Sequence, residues 1–195
     1  MKLATWILSS LFAAAVALPA SALTIVYTAS LSGPNESPPN ASPGTGSATI
    51  TFDTTANTMR VQANFTGLTG TTTASHIHCC TATPGVSTAG VATTTPTFPS
   101  FPLGVTSGTY DQTFDMTLAA SYNGSFITGN GGTTASAFAA LLAGAAAGKA
   151  YFNIHRSTFG GGEIRGFLAV PEPGTLALLG VAALALAGRA RRAAA

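Results

Sequence analysis

The chain has 195 residues, a formal charge of +2, only 7% charged residues and three histidines. That length allows one ordinary domain. Lys2, Arg189, Arg191 and Arg192 lie near the ends, and the middle sets Arg60, Lys149, Arg156 and Arg165 against Glu36, Asp53, Asp111, Asp115 and Glu163, a balance with no basic patch that excludes electrostatically driven nucleic-acid binding.

Residues 1–22 read as a secretory signal helix. Lys2 supplies the positive start, residues 7–18 the apolar stretch, and Ala20-Ser21-Ala22 the small-x-small cleavage site. Residues 23–169 form the expected folded domain, solvated mainly by Thr, Ser, Asn and Gly. Such a neutral polar surface suits an extracellular protein at least as well as a cytoplasmic one. Its roughly 148 residues are enough to bury one core.

The first strand is expected at 23–32, with Ile25, Tyr27, Ala29 and Leu31 on one side. A Pro- and Gly-rich break at 33–46 precedes a hairpin, in which Ala48, Ile50 and Phe52 alternate before Met59, Val61, Ala63 and Phe65. A further strand is expected over 72–80. The next long Thr-, Pro- and Gly-rich stretch, 80–108, is a connection of the kind that is functional or partly mobile. Alternation resumes through Tyr110, Gln112, Phe114, Met116 and Leu118. One helix is expected over 133–148, capped by Thr133 or Thr134 and Gly148, with Phe138, Leu141 and Leu142 on its apolar side. Strands at 150–156 and 162–169 close the domain. Short antiparallel strands with one short helix predict a mainly β fold, a β-sandwich or Greek-key barrel.

Chemistry concentrates in two of these strands. His76 and His78 lie two residues apart and so share a strand face, as do Asn153 and His155, and Glu163 and Arg165. A closing hairpin that pairs His155 with Glu163 sets Asn153 opposite Arg165, with Phe152, Ile154, Ile164 and Leu168 on the core side. Two readings of the histidines follow. Three convergent imidazoles suit copper or zinc, with Glu163 orienting His155 from behind. Alternatively, the histidines join Asn153, Glu163 and Arg165 in a structural polar network. Cys79 and Cys80 admit a vicinal disulfide, a ligand or redox role for Cys80 (which shares parity with His76 and His78), or inert thiols or intermolecular links.

Catalytic signatures are lacking. There is no Gly-x-Ser-x-Gly elbow, phosphate loop or zincin helix. Asp111 and Asp115 share one strand face and read as solvated rather than as an acid/base pair.

Residues 170–195 combine Pro171-Glu172-Pro173, a hydrophobic helix over 174–188 and the Arg189, Arg191, Arg192 cluster. A stop-transfer helix would explain the hydrophobicity, but the combination resembles the PEP-CTERM sorting signal. That resemblance implies a Gram-negative-type bacterium, handling by an exosortase-type enzyme, a membrane association through the helix before processing, and a link to exopolysaccharide and biofilm. Leu31-Ser32-Gly33 with Glu36 and Pro38-Pro39, Phe65-Thr66-Gly67-Leu68, His76-Ile77-His78, residues 150–155 and Gly162-Glu163-Ile164-Arg165-Gly166 together resemble the CHRD domain, named for chordin. The family pattern lacks the Cys79-Cys80 pair that follows the histidines here. The resemblance implies an extracellular β-domain and no particular reaction. The expectation is therefore a secreted or surface-anchored module with a non-catalytic binding or structural role in the envelope or exopolysaccharide matrix, partnered by polysaccharide or surface proteins. The alternative is a copper- or zinc-binding, or redox-active, extracellular protein.

Overall fold

A computed structural model describes residues 23–156 and 159–171. The expected signal segment, most of the sorting tail, and Glu172 and Pro173 of its motif lie outside the described residues. The strands are β1 (Thr24–Ser32), β2 (Thr45–Asp53), β3 (Thr58–Thr66), β4 (Thr72–His78), β5 (Gly108–Asp115), β6 (Tyr151–Arg156) and β7 (Phe159–Phe167), with helices α1 (Gly124–Gly129) and α2 (Thr134–Ala146) between β5 and β6. All seven strands belong to one antiparallel sheet in the order β4-β6-β7-β1-β2-β3-β5.

The hydrophobic core packs against one side of the curled sheet. In β1, Tyr27, Ala29 and Leu31 are buried. In β2 and β3, Ala48, Ile50, Phe52, Met59, Val61, Ala63 and Phe65 are buried, as strict alternation requires. Far along the sheet, β6 and β7 contribute Phe152, Ile154 and Ile164, all fully buried. Phe98 joins the two ends: its ring lies 6.1 Å from Phe152 and 5.1 Å from Phe114 of β5.

Phe98 belongs to the long segment between β4 and β5, which is hydrogen-bonded down the outer edge of β4. Ala92 N donates to Ile77 O (2.9 Å), Phe98 N to Ser75 O (3.0 Å) and Gly104 N to Thr72 O (2.9 Å). An unpaired edge would leave those carbonyls open to another chain. The segment covers it.

Helix α2 begins where the sequence indicates. The Thr133 side chain accepts from Ser136 N, and the Ser136 hydroxyl accepts from Thr133 N, a reciprocal cap. The helix ends at Ala146, with Ala147 as C-cap and Gly148 beyond it at φ 65°. Phe138 and Leu141 are buried, and Leu142 is partly buried against the same core. The six-residue α1, capped by Asn123, was not expected. It is too short to show a helical period in sequence. Two strands stop earlier than alternation suggests. β4 ends at His78 rather than residue 80. β5 ends at Asp115, whose carboxylate accepts from Thr117 N and Oγ1 and turns the chain.

Candidate metal centre

Strand register assembles the site. His76 pairs with Asn153, His78 with Tyr151, and Ala74 with His155 across β4–β6, while Asn153 pairs with Arg165 across β6–β7. Directly paired residues point to the same face. This face therefore carries the histidines, Asn153 and Arg165 together with Tyr151 and Phe167, and Phe152, Ile154 and Ile164 occupy the other.

One part of the expected hairpin is corrected. His155 does not pair with Glu163, because the β6–β7 register shifts between Ile154 and Arg156. Gly162 sits beside this irregularity at φ 121°, where a Cβ would run into the Asn153 amide and Glu36 Oε1. The shift also separates Glu163 from Arg165. Glu163 is fully buried and ion-paired with Arg156 (3.1 Å), and it accepts from Ser42 Oγ (2.5 Å) and from Thr69 N and Oγ1 (2.6 and 2.8 Å). Burial pushes its carboxyl up, but these hydrogen bonds and Arg156 outweigh that and hold it below the usual range. Glu163 thus fastens β7 to the segment before β2 and to Thr69.

Arg165 is served by Glu36, a pairing that nothing in the local sequence signals. The two side chains are 3.8 Å apart. Arg165 Nε donates to Asn35 O (2.5 Å) and an NH group to Ser87 O (2.9 Å), while its guanidinium stacks 4.7 Å over Tyr151. Burial raises the Glu36 carboxyl to about 7, against the opposing pull of Arg165 and the Ser37 amide.

The three histidines converge. One nitrogen from each of His76, His78 and His155 lies within 4.8 Å of the others. Backbone carbonyls assign two tautomers. His76 Nε2 meets Pro96 O (2.5 Å) and His78 Nδ1 meets Ala89 O (2.9 Å). A carbonyl only accepts, so those nitrogens carry the protons. Lone pairs are left on His76 Nδ1, which is buried without a hydrogen-bond partner, and on His78 Nε2, which lies 3.4 Å from His155 Nε2. Fixing a ring by one N–H while the other nitrogen points inward is how metal-binding histidines are held. His78 also stacks on Tyr151, with 4.8 Å between centroids and planes 3° apart.

The donor set fits copper or zinc. Metal–nitrogen bonds of about 2.0–2.1 Å place ligand nitrogens about 3.3–3.6 Å apart. The His78–His155 separation already has this value, and the widest pair needs to close by about an ångström. Burial lowers the pKa of His76, against the pull of the Pro96 carbonyl, and lowers His78 to about 4 with help from His76 and Arg165, so both rings are neutral at pH 7. Neutral imidazole is the form that binds metal.

Cys80 is not brought to this cluster. Its sulfur is bonded to that of Cys79 and lies against Gly144 and the Ala140 carbonyl of α2. Pro171 ends the described chain, beyond the domain.

The CHRD domain family model matches residues 27–168, and the model of the PEP-CTERM protein-sorting motif matches residues 169–192. The chain therefore belongs to the CHRD-domain family. It is a mainly β, exported and sorted surface protein, and its sorting motif implies processing by exosortase, a membrane-linked enzyme. Comparisons with curated proteins and with solved structures found no match.

Proposed function

We propose that this chain is a surface or matrix module of a Gram-negative-type envelope whose CHRD domain binds copper or zinc through His76, His78 and His155. The observation that carries this reading is the pair of oriented tautomers. Two buried rings are anchored to the Pro96 and Ala89 carbonyls, which leaves a lone pair on His78 Nε2 facing His155 and one on the buried, unpartnered His76 Nδ1. A bound ion would supply a positive, polarising centre, while the protein's own part is to hold the three rings and to exclude bulk water from two of them. The Pro-Glu-Pro tail would deliver the domain to the envelope, where exopolysaccharide and surface proteins are the available partners.

A second reading has its own support. The same carbonyl bonds and the stack on Tyr151 would satisfy a purely structural network. Elemental analysis of the protein purified after export separates the two. About one equivalent of copper or zinc is expected, lost in His76→Ala and His155→Ala while the β-rich circular dichroism persists. A protein that stays metal-free in micromolar copper and zinc would be a structural or binding module.

A further inference from the structure

The geometry points to a centre completed from outside the chain: the three-histidine site, once it holds the ion inferred above, takes a small inorganic monoanion as its remaining ligand. This rests on the metal-binding reading and adds the class of exogenous ligand.

Three observations lead there. Zinc and copper bind at least four ligands in most protein sites, yet among the described residues no carboxylate or thiolate joins the three histidines. Nearby candidates are committed elsewhere. Cys80 is bonded to Cys79, Glu36 lies beside Arg165, and Glu163 is held by Arg156, Ser42 and Thr69.

Charge gives the second reason. The buried acids Glu36 and Glu163 already face the arginines Arg165 and Arg156, so neither is left over to offset an ion at the histidines. Three neutral imidazoles contribute nothing to offset a divalent ion. An uncompensated double charge in a desolvated site is costly, and an anion on the metal relieves it.

Access limits the size of that anion. His76 and His78 are only 7% and 8% exposed, whereas His155 is half-buried. A ligand therefore arrives beside His155, and with His76 and His78 almost wholly covered the open side is narrow, which favours a small group. Chloride, azide or cyanide meets this limit. A benzoate does not.

The test uses the exported full chain loaded with one equivalent of Cu(II) in chloride-free buffer. Titrating azide should produce an azide-to-copper charge-transfer band and shift the copper electron paramagnetic resonance spectrum, saturating at one azide per copper. Benzoate at the same concentrations should change neither. If copper binds stoichiometrically and azide leaves both spectra unchanged, the last position is filled by the chain and this proposal fails, while metal binding stands. If benzoate competes as well as azide, the size limit is wrong. If no copper binds, the metal-binding reading falls and this inference with it.

Discussion

Asn153 and Arg165 stand directly opposite one another in the β6–β7 ladder. That single pairing, extended to His76 on the other side of Asn153, sets a row of polar side chains across three strands, roofed by Asn35, Ser87, Ala89 and Pro96.

The roof depends on Arg165. Its guanidinium bonds two loop carbonyls and lies beside Glu36. Arg165→Ala would leave all three without their cation in a buried place, and removing one partner of such a network costs about 3–5 kcal/mol. Arg60 also makes a salt bridge, at 2.6 Å to Asp111, but both side chains are about half exposed. Urea denaturation should therefore show a large loss for Arg165→Ala and little change for Arg60→Ala. Equal midpoints for the two variants would mean that the roof is not braced by Arg165.

Gly144 lies on the buried side of α2, where a Cβ would overlap both sulfurs of the Cys79–Cys80 bridge. Glycine to alanine inside a helix ordinarily gains about 1 kcal/mol. Here the sign should reverse. Gly144→Ala is expected to lower the thermal midpoint, and a stabilised variant would show that the bridge does not pack on α2 in solution.

Stability should depend on pH through two opposed groups. Glu36 is raised from its ordinary 4.5 to about 7. The folded state therefore holds a proton there that the unfolded chain has released, and this contribution is lost as pH rises through that window. His78 is lowered from 6.5 to about 4. Its contribution is present above 6.5 and lost as pH falls toward 4, and His76 acts in the same direction. The slopes oppose each other between pH 4.5 and 6.5. Glu36→Gln removes the first of them, so its urea midpoint should climb across that range more steeply than that of the unaltered protein. A midpoint that falls as pH rises in this variant would contradict the assignment.

Every residue of the hydrophobic core among the described residues lies between Tyr27 and Leu168. Deleting residues 171–195 should thus release the domain in soluble form with its melting temperature unchanged. Mass spectrometry of surface material should find an N-terminus at Leu23 and a tail processed near Pro171. An intact mass spanning Met1 to Ala195 would contradict both processing steps.

The sequence by itself determined the β-strands whose two faces differ in polarity. Tyr27, Ala29 and Leu31, or Ile50 and Phe52, alternate with hydroxyl side chains, and a period of two is a local property that needs no knowledge of the partner strand. The N-cap of α2 was legible for the same reason, since Thr133 acts on its own neighbours, while the C-cap fell on Ala147, one residue before the glycine that signals the end. The shared face of His76 and His78 was legible too. Its partner on the next strand was legible only as far as the register was regular, which held for Asn153 and Arg165.

Tertiary structure alone decided the rest. The shift after Ile154 depends on how Gly162 fits under Asn153 and Glu36, and it sent Glu163 to Arg156 instead of His155. Glu36 reaches Arg165 across 129 positions of sequence, and Ala89 and Pro96 act through backbone carbonyls, which carry no side-chain signature. The tautomers of His76 and His78 follow from those carbonyls. Periodicity can say which way a side chain points, but the atom it meets there is set by chain segments brought together only when the sheet curls.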